Sequence, residues 1–362
     1  MKRRILSFLC AALMLLSLLS GCASSKTAAS GKNVVNVYNW GEYIDTSLLE
    51  DFTKETGIKV NYSTYESNEI LYTKLKSGSA NYDVIIPSDY MISHLIDEGM
   101  LLKLDFSKIP NFANIDEQYR NLSYDPTNEY SVPYTWGTTG IIYNPNMVSR
   151  PLTSWADLFD ADLMGKRSVL MFDNSRDCIA IALLTLGYDL NTTNADEIRQ
   201  AVDLLIGQKE DGIVQAYVMD QIFDKMANNE AAAGVYYAGD YLIMCEDNPD
   251  LVWVEPSEGA NFFVDAMCIP TCSENYENAL TFINYMADNA SYVRNFDMIG
   301  YAVPSSGATA MLDEDFRSSP VVNPSQEYLA KCDSFINLDA ATLTLYDSEW
   351  LRLGLAPFDT NK

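Results

Sequence analysis

The chain has 362 residues, of which 48% are apolar, and this is enough for two folded lobes and argues against intrinsic disorder. Its formal net charge of −26 gives a surface that repels nucleic acid and anionic lipid. We therefore expect no nucleic-acid partner, and the charge favours cationic partners.

The N-terminus has the features of a lipoprotein export signal. Three basic residues at 2–4 precede a mostly apolar segment, 5–19, which is too short to span a bilayer. The segment runs into "LSGC", which is similar to a lipobox and ends at Cys22; an ordinary signal peptide with a chance cysteine is the alternative. We predict a signal peptide over 1–21 and a flexible tether over 22–32. A diacylated Cys22 would anchor the mature protein to the membrane outside the cytoplasm.

The first third of the mature chain alternates predicted strands and helices. Strands are predicted from Val34 and over 58–65 and 82–87, and helices over 45–57, 67–78 and 88–99. This order predicts a parallel sheet with helices on both faces and right-handed crossovers. The fold class indicated by this third of the chain is therefore α/β.

The rest of the chain follows the same α/β pattern. Helices are predicted over 154–159, 176–187, 194–207, 220–230 and 275–289, with a closing helix at Tyr346 to Leu353, and strands over 167–172, 251–256 and 261–270. Ligand sites of open parallel sheets lie beyond the carboxyl ends of the strands. Three predicted segments fall there: 39–43, 88–90 and 173–177.

Catalytic and metal-binding signals are weak in this sequence. The single histidine, His94, lies inside a predicted helix, and no nucleophile elbow, zinc-protease motif or phosphate-binding loop is present. Five cysteines outside the first 22 residues lack zinc-type spacing, and their thiol or disulfide states stay open: Cys178, Cys245, Cys268, Cys272 and Cys332. We predict no enzyme, cofactor or metal site, with a hydrolase that uses an acid pair as an alternative.

Two acids stand out by their surroundings. Asp265 interrupts the apolar strand "FFVDAM", and a buried carboxylate is costly unless it meets a cation or several donors. An edge position with this side chain in water is the alternative. Asp240 precedes a predicted apolar segment and is either a ligand contact or an ordinary helix N-cap.

Aromatic residues near the strand ends complete the pattern. Singly, each is equally consistent with core packing: Trp40, Tyr43, Tyr90, Tyr237 and Tyr301. Together with the acids they suit a flexible alkyl polyammonium. Its methylenes would stack on the rings, and each ammonium would gain cation–π contacts and charge-assisted hydrogen bonds.

The sequence also resembles the spermidine/putrescine-binding proteins of ABC transporters. The resemblance covers about 33–357 and rests on "YNWGEYID", "YDVIIPSDY", "VPYTWGTTGIIYNP", "SWADLF", "VDAMCIP" and "IGYAVPSS". It implies a type II periplasmic-binding-protein fold, with mixed, mostly parallel sheets in two lobes around a cleft. By this resemblance the N-terminal lobe is 33–141 with 265–308, and the C-terminal lobe is 142–264 with 309–360.

The resemblance implies the extracytoplasmic, lipid-anchored substrate-binding subunit of an importer. Such a subunit is a monomer without a cofactor that captures polyamines and delivers them to the permease subunits. The ligand-binding positions that it implies are Trp40, Glu42, Tyr43, Ser88, Tyr90, Asp177, Tyr237, Asp240, Phe263, Asp265 and Tyr301.

The chain departs from the family's motifs at positions that bear on ligand choice. Asn174 replaces the first acid of the family's "DxxRE" segment, and Tyr237 and Phe263 replace tryptophans. Asp240 matches an acid of putrescine-type members. Losing one acid and gaining another leaves putrescine and spermidine both open, and it favours a broad site. A receptor of the same fold for a sugar or a cationic amino acid is the alternative; sugar binding would vary little with salt.

Overall fold

A computed structural model describes residues 33–358. The predicted signal peptide over 1–21, the lipidation site Cys22 and the tether over 22–32 lie outside the described residues. Within 33–358, no helix is both long enough and apolar enough to cross a membrane.

The described chain contains one mixed sheet. Its nine strands are β1 (Val34–Trp40), β2 (Lys59–Tyr65), β3 (Val84–Ile85), β4 (Ser131–Tyr143), β5 (Val169–Phe172), β6 (Val214–Val218), β7 (Ala233–Tyr237), β8 (Val252–Val254) and β9 (Phe262–Cys268). The strand order is β2-β1-β3-β9-β4-β7-β5-β6, and β8 pairs with β4. Parallel pairs join β1 to β2 and β3 at one end and β5 to β6 and β7 at the other. Every antiparallel pair among these strands involves β4 or β9.

Strand β4 connects the two ends of the sheet. All 13 of its residues are buried. Its first part, 131–138, pairs with β9, and its second part, 139–143, pairs with β7. Two glycines let neighbours approach, since a Cβ at Gly137 would lie 2.9 Å from the Phe263 ring, and one at Gly140 would lie 2.4 Å from Trp253.

The helices cover both faces of the sheet. They are α1 (Thr46–Thr56), α2 (Asn68–Lys76), α3 (Asp89–Asp97), α4 (Ala161–Met164), α5 (Ser175–Thr185), α6 (Ala195–Glu210), α7 (Gln221–Ala227), α8 (Ala238–Asp247), α9 (Tyr276–Met286), α10 (Asn289–Ile299), α11 (Ser306–Thr309), α12 (Glu314–Arg317), α13 (Gln326–Leu329) and α14 (Ala340–Leu355). Asp45 and Ser67 cap α1 and α2, and Gly57 ends α1 with a φ of 73°. The helix predicted over 154–159 is a 3₁₀-helix, Trp155–Phe159.

Buried apolar side chains form two main clusters. The first buried cluster draws on 35–136 and 263–322, and the second draws on 141–260 and 328–353. They meet along β4, whose two parts contribute to different clusters. The α/β class is confirmed. The lobe boundaries given above stay a prediction, and the two clusters are the observation that favours them.

Candidate functional site

Asp265 lies in β9 and is only 4% exposed. Its Oδ2 accepts a hydrogen bond of 2.6 Å from the Tyr43 hydroxyl, which also lies 2.6 Å from Oγ1 of Thr135. Its Oδ1 is buried and has no hydrogen-bond partner in the described chain. Burial raises the pKa of this carboxyl group to about 6, and the hydroxyl groups of Tyr43 and Ser88 partly offset that rise. The site therefore presents a buried carboxylate oxygen that can accept a further donor.

Asp240 lies next to this group through Tyr301. The Tyr301 hydroxyl donates to Oδ2 of Asp240 at 2.6 Å, and the Tyr301 ring packs edge-on against Tyr43 with centroids 4.9 Å apart. Burial raises the pKa of Asp240 to about 7. The N-cap of α8 is Tyr237, so interpreting Asp240 as an ordinary N-cap is wrong. Its carboxylate instead faces the aromatic residues.

A third carboxylate, Asp177, is buried in the first turn of α5. It accepts hydrogen bonds from Asn174 Nδ2 at 2.6 Å, from the Tyr237 hydroxyl at 3.1 Å and from Asn261 Nδ2 at 3.4 Å. Burial nevertheless raises its pKa to about 6. Asn174 also caps α5, and its amide group donates to Asp177, so it helps to hold that acid in place.

Aromatic rings join the three carboxylates into one continuous group. Tyr237 packs edge-on against Phe263 with centroids 5.5 Å apart, and Phe263 packs against Tyr301 at 6.1 Å. Because Tyr237 bonds to Asp177 and Tyr301 bonds to Asp240, the rings extend from one acid to the next. We call these residues the acid–aromatic cluster: Tyr43, Asp177, Tyr237, Asp240, Phe263, Asp265 and Tyr301.

Two of the remaining predicted positions, Ser88 and Tyr90, lie next to this cluster. Ser88 pairs with Asp265 through a backbone bridge, and its side chain makes no capping bond to α3. Tyr90 donates to Glu69 at 3.0 Å, and its ring packs edge-on against Phe335 at 6.2 Å. Ser88 and Tyr90 thus border the cluster from α3.

Trp40 and Glu42 are not brought into contact with the acid–aromatic cluster. The Trp40 indole donates to the Ile86 carbonyl at 2.9 Å, and its ring is tilted against Tyr65 at 4.7 Å. Glu42 is exposed in a left-handed backbone conformation with a φ of 46°. These two residues lie at the end of β1 and the turn after it.

Two charged residues next to the cluster were not among the predicted site residues. Asp89 is 2% exposed, and burial, together with the nearby Asp265, raises its pKa to about 8. Arg176 is 6% exposed and lies over the rings of Tyr90, Phe335 and Tyr346 at 5.3, 4.5 and 5.6 Å. Asp89 lies in "YDVIIPSDY" and Arg176 lies in the segment 173–177, but only the tertiary packing shows that both are buried.

Neither of two nearby cavities includes the cluster's carboxylates. Cavities of about 200 and 350 Å³ lie on either side of Tyr119, against Phe262 and Trp136 respectively. In the described part of the chain, no group of three or more His, Cys, Asp or Glu side chains is arranged to hold a metal ion. The acids of the cluster instead contact hydroxyls, amides and rings.

Comparison with known proteins adds independent information. The family model for bacterial extracellular solute-binding proteins matches residues 47–322. The spermidine/putrescine-binding periplasmic protein of Escherichia coli is 36% identical over 333 residues, which cover 91% of this chain and 94% of that protein. The putrescine-binding periplasmic protein SpuD of Pseudomonas aeruginosa is 33% identical over 352 residues, 92% of this chain and 95% of that protein.

A solved structure shows the same fold. The substrate-binding protein of a spermidine/putrescine ABC transporter from Streptococcus pneumoniae, crystallised with calcium and HEPES, superposes with a TM-score of 0.79. It is 36% identical in sequence, and the match covers 90% of this chain and 99% of that one. The fold expected from the sequence is thereby confirmed.

Proposed function

The chain belongs to the family of bacterial extracellular solute-binding proteins, and we propose that it captures putrescine, spermidine or both for an ABC importer. One observation carries the proposal. Three carboxylates, of which Asp177 and Asp265 are buried and Asp240 is half-buried, are linked by aromatic rings and form no ion pair with any lysine or arginine of the described chain. The names of the relatives point to the same class of ligand.

Electrostatics explains why a polycation suits the cluster. Burial raises the pKa of Asp177, Asp240 and Asp265, so ionising all three without a counter-charge is costly. A ligand ammonium would supply that charge and would donate hydrogen bonds to free carboxylate oxygens such as Oδ1 of Asp265. The methylenes of the ligand would gain from contact with the rings between the acids. A neutral sugar offers no such compensation.

The acid–aromatic cluster contains residues from both halves of the molecule, so a ligand bound to it would hold the two halves together. Asp265 and Tyr301 belong to elements of the first buried cluster, whereas Asp177 and Asp240 lie on helices that pack in the second. A polyamine that bridges these acids would draw the two halves together, because its contacts are better in the closed state. The contact between Tyr90 and Phe335 joins the ranges predicted for the N-terminal and C-terminal lobes.

We assign ligand contact to the positions predicted from the sequence. Tyr43, Tyr237, Phe263 and Tyr301 would provide rings, Asp177, Asp240 and Asp265 would provide charge, and Ser88 and Tyr90 would border the ligand. Trp40 and Glu42 would contact it from the end of β1. Asp265 would be the principal anchor, since it alone among these acids has a buried oxygen without a partner.

The cellular setting belongs to the same proposal. The mature protein would be a monomer held outside the cytoplasm by lipid on Cys22, and it would hand its ligand to the permease subunits of the importer. It would have no enzymatic activity. The resemblance to transporter subunits and the N-terminal motif support this setting.

Isothermal titration calorimetry tests the proposal. Putrescine, spermidine and spermine should be titrated at low salt, with arginine and glucose as ligands of the alternative classes. We expect binding of at least one polyamine, and absence of binding by all three would contradict the proposal. Asp265→Asn should weaken polyamine binding at least tenfold, since losing one partner of a buried charge pair costs roughly 2–5 kcal/mol.

The matched control is Asp247→Asn. Asp247 is exposed at the end of α8, so the same change of charge there should alter affinity less than about twofold. Equal losses in both variants would show that net charge, and not Asp265, determines binding.

A further inference from the structure

Asp89 is a buried acid at the first position of α3. Its Oδ1 accepts the backbone N–H of Tyr90 at 2.7 Å, and its Oδ2 accepts the backbone N–H of Val264 at 3.3 Å. Val264 directly precedes Asp265, and Ser88 pairs with Asp265 through an isolated backbone bridge, so the Asp89 carboxylate lies beside the backbone of Asp265. The two buried acids therefore lie on adjacent segments, and the charge of Asp265 acts on Asp89.

Hydrogen bonding alone does not require a charge at this position. Both oxygens of Asp89 accept hydrogen bonds from backbone N–H groups. A neutral side chain with an acceptor oxygen, such as that of asparagine or serine, can accept bonds of this kind equally well. A carboxylate here adds repulsion with Asp265 and a cost of burial. Such a cost persists where the charge has a function.

Asp265 supplies the second, independent observation. Its Oδ1 is buried and accepts no hydrogen bond within the described chain, so it can accept a further donor. An ammonium on that oxygen would interact with the charges of both neighbouring acids. The attraction would be strong because the surroundings are apolar and shielded from solvent.

We propose that Asp89 is a further specificity-determining residue, which supplies the second negative charge for the ammonium held by Asp265 and releases its proton when that ammonium binds. The inference rests on the proposed function. The proton leaves the Asp89 carboxylic acid for the solvent, and the ligand stays an ammonium, so the bound state gains one carboxylate–ammonium interaction. Asp89 acts through its charge and need not touch the ligand.

The groups that face Asp89 come from several elements. Asp265 on β9 raises its pKa, whereas Arg176 on α5 and the backbone N–H groups of Tyr90 and Val264 lower it. Tyr124, in the segment before β4, also lies within electrostatic range. With burial as the largest effect, the pKa stays near 8, and Asp89 is the most readily protonated acid of the group.

The test measures putrescine binding by calorimetry from about pH 6 to about pH 8.5. Two buffers with different ionisation enthalpies give the number of protons released. For the wild type at about pH 8, we expect release of roughly half a proton per ligand, since a group with that pKa is then half protonated. Asp89→Asn should release fewer protons, and its affinity should fall roughly fivefold or more at pH 8.5 but less at pH 6.

Each outcome supports or overturns the inference. Parallel pH profiles in the wild type and Asp89→Asn would mean that position 89 only caps the helix. The wild-type proton count keeps the test valid if the variant does not fold, because no proton release at pH 8 overturns the inference. Binding with parallel profiles would leave the proposed function standing, whereas absence of all polyamine binding would overturn both. Asp247→Asn should reproduce the wild-type profile.

Discussion

Gly239→Ala probes the contact between α8 and Tyr301. A Cβ at position 239 would lie 2.3 Å from Cδ2 of the Tyr301 ring, whereas ordinary contacts begin near 3.4 Å. The ring would therefore have to withdraw by about 1.1 Å (3.4 − 2.3). Tyr43 already packs against this ring with centroids 4.9 Å apart, so it has little room to move within the first buried cluster.

We expect Gly239→Ala to lower polyamine affinity more than it lowers the stability of the unliganded protein. Withdrawal of Tyr301 from α8 would lengthen its 2.6 Å hydrogen bond to Asp240 towards about 3.7 Å (2.6 + 1.1), beyond hydrogen-bonding distance. Overpacking of this kind costs roughly 1–3 kcal/mol, and the cost falls on the closed arrangement. We expect putrescine affinity to fall roughly 5- to 150-fold, with little change in the melting temperature of the unliganded protein.

Calorimetry with putrescine, combined with thermal melts, checks this prediction. Gly207→Ala is the control, because a Cβ there meets no atom within 4 Å and alanine is the better residue in the interior of α6. It should bind normally and be as stable as the wild type or more stable. Binding by Gly239→Ala within twofold of the wild type would refute the argument that the Tyr301 contact belongs to the closed site.

Three further predictions concern other acids of the molecule. Asp83→Ala should lower the free energy of unfolding by roughly 3 kcal/mol or more in urea titrations, because it leaves several donors without an acceptor and each such loss costs roughly 1–3 kcal/mol. Polyamine affinity should stay unchanged, since this carboxylate accepts only structural hydrogen bonds; a large loss of affinity in the folded variant would contradict the prediction. Tyr237→Phe removes a hydroxyl donor that lowers the pKa of Asp177. Calorimetry should therefore show weaker polyamine binding, most clearly at low pH, where Asp177 would be protonated. A loss of affinity that does not depend on pH would argue against this cause. Unliganded protein should melt at lower temperature as the pH rises from about 4 to 8. In this pH range the folded state binds more protons than the unfolded state, because folding raises the pKa values of four acids: Asp89, Asp177, Asp240 and Asp265. Saturating putrescine should reduce the fall in melting temperature. An unliganded melting temperature that rises from about pH 4 to 8 would contradict the direction of these pKa shifts.

The first third of the fold is readable from the sequence because its signals are local. The capping residues Asp45 and Ser67, the αL glycine Gly57 and the apolar periodicity of α1 act within a few residues. Strand β4 was not predicted as a strand, since it is buried on both faces and has no alternation. Pro133 and two glycines also interrupt its β propensity. The antiparallel placement of β9 between β3 and β4 depends on pairing over long sequence distances.

The candidate site, like the fold, could be predicted where the signal is local and could not where it depends on distant residues. Asp265 could be singled out because a charge inside an apolar strand is unusual in any context. The burial of Arg176 depends on rings at 90, 335 and 346, which no local pattern brings together. Asp89 is not among the predicted site residues, because its neighbour Asp265 is 176 positions away in the sequence (265 − 89). Residue types were thus predictable, whereas their electrostatic partners required the fold.

A polyamine receptor with this cluster must select positive charge at both ends of a short alkyl chain. Side-by-side calorimetric titrations with putrescine and with 1,4-butanediol, in which hydroxyls replace the ammonium groups, test that requirement most directly. We predict that putrescine binds, more weakly as salt increases, and that butanediol gives no binding heat. Comparable binding of the two compounds, or putrescine binding that does not respond to salt, would contradict the account.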